Sequence, residues 1–447
     1  MSFPRRFLSV LGLTLLLGGL EMQTVSAHAT AAQPGSVQPA TASAPTGQAS
    51  SQAYSLPPEK LGKAIALSRI GHFLYIAFPL LDIAVLWILL ATGWAARFET
   101  FAQSICRQRW LQGLLCFAML IVLITLVELP LDVFAHRIYA AYGISVENWG
   151  GWFADRAKSL GLAVLIGSPV MLLFHWIVRC WPRRYWLVCW VVAVPLILLA
   201  AFLEPLGEPI FYKYEPLAKN HPTLAAELER VVVRTGIDIP ADRMFLMKAS
   251  EKSNGLNAYV SGIGATKRIV VWDTTAGRIP DDEILFTFAH ESGHYVLNHI
   301  PKGLALAAIG FFFIFWACAR VAGWLAGRFG DRWHAEALSS RAGFVVILLT
   351  VAIASFLLEP VENAVDRHDE HEADVYGQEA IHGLVPDPQK TAVATFNALG
   401  EAWLEDPNPS PFVEFWEDSH PSAQKRANFA AHYDPWMNGG HGEFFDK

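Results

Sequence analysis

The stretch His290-Glu291-Ser292-Gly293-His294 has the most specific spacing in this chain of 447 residues. Residues four apart share one face of a helix, so the two imidazoles would lie about one turn apart and could bind one tetrahedral ion. Glu291 would project beside them and take a proton from water without binding the metal. Chance produces the pattern in roughly 0.02–0.03 of chains with this histidine content, so the motif alone is suggestive. It predicts His290 and His294 as metal ligands and Glu291 as the catalytic base.

A second polar stretch, Arg367 to Asp374, offers the third protein ligand that a catalytic metal needs. Glu370 and Asp374 share a helical face. Glu370 is therefore predicted to bind the metal and Asp374 to accept the free ring N–H of a ligating histidine. Arg367 is predicted to pair with a carboxylate and hold this helix in register. Glu372 and His371 compete for the ligand role, and the whole stretch also suits a solvated helix face.

The composition is that of a membrane protein. Hydrophobic residues make up 53% of the chain and charged residues 17%. The apolar residues cluster in runs of about 20, the length that crosses a bilayer. The six predicted spans are 72–96, 110–130, 159–178, 185–203, 303–327 and 342–359.

Charge and cysteine content exclude two other kinds of protein. The net charge of −7 lies mainly in the polar segments and provides no basic face, which excludes nucleic acid as a partner. The five cysteines form no CxxC pair. They indicate small core residues, not a disulfide scaffold or a metal site.

Residues 1–27 are predicted to be a secretory signal peptide. Two arginines precede an apolar core, Phe7 to Leu20, and the small residues Val25-Ser26-Ala27 follow it. An uncleaved signal anchor is the alternative. Residues 28–58 are rich in Ala, Ser, Thr, Gln and Pro without periodicity, which predicts a disordered linker.

Arginines in three short loops predict the membrane orientation. They are Arg97, Arg107, Arg109, Arg179, Arg183, Arg184, Arg328, Arg332 and Arg341. If these loops are cytoplasmic, the positive-inside rule places both polar regions, 204–302 and 360–447, on the outer side. A signal peptide predicts the same side independently.

The two polar regions are predicted to form one α+β domain. Helices are expected at Pro222–Arg234, from its apolar period, and at about 281–299, with acids in its first turn. The β-rich stretches between them are Arg243–Met247, Asn257–Ser261 and Arg268–Trp272. A further helix is expected across about 360–382.

This gives six segments along the chain. They are the signal peptide or anchor at 1–27, the linker at 28–58, a membrane block of four spans at 59–206, the first half of the domain at 207–302, a transmembrane hairpin at 303–359, and the second half at 360–447.

H-E-x-x-H followed far downstream by R-x-x-E-x-x-A-D resembles the CAAX prenyl protease family of multi-span zinc metallopeptidases. Further pieces match in order. Pro209 to Leu217 is similar to the segment after the family's first membrane block, and Asn257-Ala258-Tyr259 with Gly262 is similar to its edge-strand motif. His420-Pro421 with Arg426 is similar to its H-P…R element. The resemblance spans about 60–440.

The resemblance implies a fold and a cofactor. The fold is a multi-span α-helical membrane bundle with an α+β zincin domain, gluzincin-like, that a transmembrane hairpin splits. The cofactor is one Zn²⁺ per chain. The family's spans enclose a water-filled chamber, which ionisable residues such as Asp82, Glu128, His175 and Glu204 would suit.

The resemblance also implies roles for individual residues. Asn257, Ala258 and Tyr259 would lie on an edge strand beside an extended substrate, with Asn257 binding the substrate backbone. His420 and Arg426 would polarise the scissile carbonyl or hold the oxyanion.

The predicted function is an integral-membrane zinc metalloendopeptidase that hydrolyses membrane-associated or extended polypeptides, with Glu291 as general base. The expected location is the bacterial cytoplasmic membrane, with lipid and peptide or membrane-protein substrates as partners and an open oligomeric state. Eukaryotic members clip a C-terminal tripeptide from prenylated cysteines, and the apparent leader of this chain argues against that substrate. The alternative is a multi-span transporter or channel with a structural or inactive metal site. It predicts Glu370 farther than about 5 Å from both imidazoles, against metal–ligand bonds of about 2 Å.

Overall fold

The computed structural model describes residues 53–445, so the predicted signal peptide and most of the predicted linker lie outside the described residues. The described chain begins in a packed segment. Tyr54 is fully buried, and its hydroxyl donates to the backbone oxygen of Glu405. The backbone of Ala53 is hydrogen-bonded to Asn397 and Asn428. The last residues of the predicted linker are therefore anchored on the C-terminal region, which corrects the expectation of disorder up to residue 58.

Within residues 53–445, six helices are long and apolar enough to cross a membrane, in agreement with the six predicted spans. The first membrane block consists of α1 (Pro58–Ala91), α2 (Trp94–Ile105), α3 (Arg109–Ala141), α4 (Trp149–Leu162), a π-helical turn (Ala163–Gly167), α5 (Ser168–Cys180) and α6 (Tyr185–Gly207). The π-helical turn joins α4 and α5 into one span. Most helices extend past the predicted spans, because hydropathy marks only the segment in hydrocarbon whereas helical hydrogen bonding continues into polar flanks.

The first polar region is α+β, as predicted. Its elements are β1 (Tyr214–Pro216), α7 (Leu217–Asn220), α8 (Pro222–Thr235), β2 (Met244–Met247), β3 (Ala258–Ser261), β4 (Arg268–Trp272), α9 (Asp273–Ala276) and α10 (Asp281–Val296). The strand order is β1-β2-β4-β3, with β2 and β4 parallel and the two outer pairs antiparallel. Strand β1 was not predicted, because three residues ending in proline carry too little alternation. The topology leaves β3 at one edge of the sheet.

The transmembrane hairpin consists of α11 (His299–Trp333) and α12 (Arg341–Ala380). The separate helix expected across 360–382 is instead the end of α12, which continues the last span for 40 residues. Pro360 lies inside α12 and removes one backbone hydrogen bond, which the packing on both sides of it tolerates. The second half of the domain is therefore an extension of a membrane helix.

The two arms of the hairpin have different surroundings. In the most apolar 18-residue window, 56% of α12 is buried but only 6% of α11. Phe344, Val346 and Leu348 of α12 belong to the core of the membrane bundle. Helix α12 is thus the central arm, and α11 presents its apolar surface outward.

Helices α13 (Pro388–Trp403), α14 (Pro411–Trp416) and α15 (Ala423–His432) complete the chain. One core joins the two halves of the domain and includes Leu228 of α8, Phe286 and Phe288 of α10, and Phe396 of α13. Each fully buried side chain of this size stabilises the fold by about 1.5–3 kcal/mol. The halves that the hairpin separates in sequence therefore form one domain.

Candidate metal centre

Helix α10 carries the H-E-x-x-H motif and is buried along most of its length. Asp281, Asp282 and Glu283 occupy its first turn, where the helix dipole favours negative charge. Every residue from Phe288 to His294 is buried. The motif therefore lies inside the domain and is covered by other elements on most faces.

Two glycines bring α10 and α12 into close contact. A Cβ on Gly377 would lie 2.9 Å from the backbone nitrogen of His290, and a Cβ on Gly293 would lie 3.1 Å from the ring of Tyr376. Both distances are shorter than the optimal separation of nonbonded carbons, about 3.5–4.0 Å. The two helix backbones can approach this closely only because these positions lack side chains.

Glu370 of α12 meets both histidines of α10. Its Oε2 lies 3.3 Å from His290 Nε2, its Oε1 lies 3.5 Å from His294 Nε2, and the two Nε2 atoms are 3.3 Å apart. Ligand atoms at the corners of a tetrahedron are about 3.3–3.4 Å apart when the metal–ligand bonds are about 2.0–2.1 Å. The three side chains therefore have the separations that one zinc-sized ion requires. The carboxylate lies well within the 5 Å limit beyond which a transporter or channel would be favoured.

Two buried carboxylate oxygens at this point have no hydrogen-bond partner within residues 53–445. They are Oε2 of Glu370, which lies 3.3 Å from His290 Nε2 and 3.5 Å from Arg426 Nη2 without forming a hydrogen bond, and Oε2 of Glu291. A buried polar atom without a partner costs about 1–3 kcal/mol, and more when it is charged. The donor set of two imidazoles and a carboxylate with an unsatisfied oxygen fits a bound cation.

Asp374 and Arg426 support the ligands from behind. Asp374 Oδ1 lies 2.9 Å from His290 Nδ1, although the ring N–H does not point directly along this contact. Arg426 donates to both oxygens of Asp374, from Nε at 2.9 Å and from Nη2 at 2.6 Å. Asp374 thus lies beside the ring of His290, and its role as acceptor of the ring N–H stays a prediction. Arg426 was expected at the scissile carbonyl, but its guanidinium forms an ion pair with Asp374 and also lies over the ring of Phe396.

His420 reaches the site from the loop before α15. Its Nε2 lies 3.2 Å from Glu370 Oε1, and its Nδ1 lies 2.8 Å from the hydroxyl of Ser419. The His420 side chain is 35% exposed, whereas that of Glu370 is 5% exposed. His420 therefore lies on the open side of the centre, as its predicted role requires.

Burial and the neighbouring carboxylates set the protonation states. Burial lowers the pKa of His290, but the carboxylates of Asp374 and Glu370 close to its ring outweigh burial and raise this pKa to about 9. Burial lowers the pKa of His294 well below its usual value, and it raises the pKa of Glu291. His294 is thus neutral and ready to bind a cation, whereas His290 holds a proton that a cation must displace.

Arg367 pairs with no carboxylate in the part of the chain that the structure describes, which corrects the prediction. Its Nη1 donates to the backbone oxygens of Glu414 and Asp418, and Asn363 Nδ2 donates to the backbone oxygen of Trp416 at 2.6 Å. These carbonyl groups lie in and just after the short helix α14, where helical partners run out. Arg367 still holds α12 in place, through the segment that leads to His420.

The predicted substrate strand is the edge strand β3. One side of β3 pairs with β4, and no strand among the described residues pairs with the other. Ala258 and Tyr259 are buried, and the Tyr259 hydroxyl donates to the carboxylate of Glu208 at the end of the membrane block. The Tyr259 side chain is therefore a structural contact. The backbone of Asn257 is held by Thr275, and its side chain is half-buried.

Comparison with known proteins identifies the family. Residues 218–434 match the profile of peptidase family M48, and residues 51–213 match that of the CAAX prenyl protease N-terminal region with five membrane helices. The metalloprotease YhfN of Bacillus subtilis (strain 168) is 33% identical over 380 residues, which are 83% of this chain and 86% of that protein. The chain belongs to peptidase family M48.

Two further matches describe the position of this M48 peptidase in its family. CAAX prenyl protease 1 of Saccharomyces cerevisiae is 34% identical over 220 residues, which are 48% of this chain and 46% of that protein. The crystal structure of S. mikatae Ste24p has a TM-score of 0.71 at 24% identity and covers 83% of this chain and 89% of that one. The second match shows a common fold.

These matches confirm the resemblance, the fold class and the enzyme class. The M48 peptidase is an integral-membrane metallopeptidase with a multi-span helical bundle, and the transporter or channel alternative is not favoured. Members of this family depend on a metal.

One neighbour of the centre, His299, was not predicted. It is the first residue of α11, and its Nδ1 lies 3.1 Å from Nδ1 of His294. The sequence shows a histidine five positions after the motif. Its approach to His294 depends on Asn298, whose left-handed backbone (φ 60°) turns the chain between α10 and α11.

Proposed function

We propose that this M48 peptidase is a zinc metalloendopeptidase that holds one Zn²⁺ with His290, His294 and Glu370 and cleaves peptide bonds of peptide or membrane-protein substrates. The observation that carries the proposal is the convergence of the donor atoms: His290 Nε2 lies 3.3 Å from His294 Nε2 and 3.3 Å from Glu370 Oε2, and Glu370 Oε1 lies 3.5 Å from His294 Nε2. Two imidazoles and one carboxylate leave a fourth position open, as catalytic zinc sites require.

Glu291 is the general base in this proposal. When bound, zinc supplies a Lewis acid that activates water and polarises the scissile carbonyl. Glu291 takes the proton of the attacking water and passes it to the leaving amine nitrogen. Its Oε2, which has no hydrogen-bond partner among residues 53–445, supports this role, and so does its burial, which raises its pKa above the ordinary value and makes it a stronger base.

His420 and β3 would hold the substrate. A neutral His420 would donate from Nε2 to the carbonyl oxygen as negative charge develops there. An extended peptide would add to the free edge of β3, where main-chain hydrogen bonds give affinity without demanding one sequence. The side-chain amide of Asn257 and the backbone of Ala258 are the proposed contacts, and Tyr259 supports the strand from inside.

We propose that the peptidase domain lies on the outer side of the bacterial cytoplasmic membrane. Two arginine-bearing loops meet at one end of the bundle, because Arg341 donates to Glu99 at 2.6 Å and to the backbone oxygen of Arg109 at 3.0 Å. The positive-inside rule favours this end in the cytoplasm. The metal centre lies toward the other end of α12, at Glu370, so membrane proteins and lipid-associated peptides are the expected substrates.

Metal content and peptide cleavage, measured on the same preparations, test the proposal. The Glu291→Gln variant should retain about one zinc per chain and lose peptide cleavage by about 10²–10⁴-fold. Glu283→Gln, in the first turn of the same helix, is the matched control and should cleave at the wild-type rate. Wild-type cleavage by Glu291→Gln would show that the assigned base is wrong.

A peptide library with and without a chelator defines the substrate. Farnesylated and unmodified versions of the same peptides form the two arms, because the yeast relative is named a CAAX prenyl protease. We expect chelator-sensitive cleavage of the unmodified peptides. Cleavage confined to the farnesylated arm would replace the general peptidase with a prenyl-specific one.

A further inference from the structure

His299 and Glu372 form a hydrogen-bonded chain that ends on one of the proposed metal ligands. His299 Nε2 lies 3.0 Å from Glu372 Oε2, and His299 Nδ1 lies 3.1 Å from His294 Nδ1. The side chain of His299 is 3% exposed and that of Glu372 is 35% exposed. This series of hydrogen bonds therefore leads from a partly solvated carboxylate on α12, through a buried imidazole on α11, to the second histidine of the motif on α10.

The chemistry of the three groups indicates where the protons lie when Glu372 is ionised and His299 is neutral. An ionised carboxylate can only accept, so Nε2 of His299 carries a hydrogen and donates it to Glu372. The Nδ1 atom of a neutral His299 is then a lone-pair acceptor, and the Nδ1 atom of His294 must be the donor. This leaves Nε2 of His294, the atom 3.5 Å from Glu370, with the lone pair that a metal needs.

We propose that His299 and Glu372 are positioning residues that hold His294 in its metal-binding tautomer and ring orientation. The inference rests on the proposed metal site. It adds two residues that act on the site through His294 and do not themselves bind the metal. The two ligating histidines are thus supported differently. Nδ1 of His290 faces the carboxylate of Asp374 at 2.9 Å, whereas Nδ1 of His294 is connected to the carboxylate of Glu372 through a second imidazole.

A second metal ion is the alternative role for His299 and Glu372, and the test distinguishes the two roles. Ligand atoms of His299, Asp369 and Glu372 all lie within 4.8 Å of one another, a spacing that could hold a second ion. The contact with His294 favours the positioning role, because both nitrogens of a buried His299 already have partners.

The zinc dissociation constant of the full-length protein in detergent tests the proposal without using activity. In His299→Leu, which lacks an acceptor, zinc affinity should fall by about 10–100-fold, the usual effect of losing a group that orients a metal ligand. His299→Gln carries both an amide oxygen and an amide NH₂, so it should recover most of this loss. His368→Leu is the matched control, since His368 also faces Glu372, at 3.6 Å, but is 71% exposed and has no contact with His294. It should bind zinc as the wild type does.

The visible spectrum of the cobalt-substituted protein supplies a second measurement, because it reports the geometry at the ion. His299→Leu should change this spectrum and His299→Gln should restore it. Wild-type affinity and spectrum in His299→Leu would overturn the inference, and so would equal losses in the Leu and Gln variants. Two zinc ions per wild-type chain, with only one lost in His299→Leu, would assign these residues to a second ion instead. A wild-type protein that binds no zinc would contradict the proposed metal site itself, which distinguishes the two failures.

Discussion

Helices α10 and α12 bring ligands to one point from different surroundings. Helix α10 belongs to the peptidase domain and supplies His290 and His294 from a segment that protein covers on most sides. Helix α12 starts in the membrane bundle, where Leu357 and Val361 are 57% and 63% exposed on its outward face. It is buried without interruption from Arg341 to Thr350, inside the bundle, and again from Ala373 to Ala380, against the peptidase domain. The metal centre therefore lies where a soluble-type domain and a membrane helix share a contact, which ties catalysis to the position of the bundle.

The largest expected effect follows from removing the ion pair between Asp374 of α12 and Arg426 of α15, which lies behind the metal ligands. Arg426→Met would leave Asp374 buried without its bidentate partner, and breaking such a pair destabilises a protein by about 3–5 kcal/mol. The variant should unfold at a lower temperature and lose zinc. Lys425→Met is the control, because Lys425 is 60% exposed and binds only Glu414. Equal unfolding temperatures for the two variants would contradict the supporting role of Arg426.

The next largest effect is expected from removing His420, the hydrogen-bond donor on the exposed side of the metal centre. His420→Ala should lower kcat by about 10²–10³-fold, because a donor to the developing oxyanion is lost, and should leave zinc content unchanged. Ser419→Ala should have a smaller effect in the same direction, since Ser419 only orients the ring at 2.8 Å. Zinc loss in His420→Ala would instead assign this histidine to the metal.

The contact between the helices is tested by a pair of glycine variants. Gly377→Ala places a methyl group 2.9 Å from backbone atoms of His290, whereas Gly293→Ala places one 3.1 Å from a side chain that can move. We expect Gly377→Ala to cost about 1–3 kcal/mol and to weaken zinc binding, with a smaller effect for Gly293→Ala. Gly303→Ala, with no atom within 4 Å of the new Cβ, is the control. The reverse order of unfolding temperatures would show that the backbones do not meet at Gly377.

The smallest expected effect is on the pH profile. Glu291 must be ionised to act as a base, and burial raises its pKa above the usual value of 4.5. Activity should therefore fall as the pH falls through a value higher than 4.5, and kcat/KM measured across the acid range with metal-saturated enzyme checks this. A fall only below 4.5 would mean that Glu291 is more solvated than the structure indicates.

The sequence predicted most of the centre because its parts are local. Four-residue spacing placed His290 with His294 and Glu370 with Asp374 on their helices, and hydropathy located the six spans. Other features depended on tertiary contacts that no local pattern encodes. Examples are the continuity of α12 through Pro360, the capture of Arg426 by Asp374, and the approach of His299 to His294.

The convergence of α10 and α12 on one ion is tested most directly by X-ray absorption at the zinc edge of the purified protein. We predict one zinc per chain with two imidazole nitrogens and a carboxylate oxygen at about 2.0–2.2 Å, and a changed spectrum with weaker binding in Glu370→Ala. A protein without zinc, or a spectrum that is the same in Glu370→Ala and the wild type, would contradict the account.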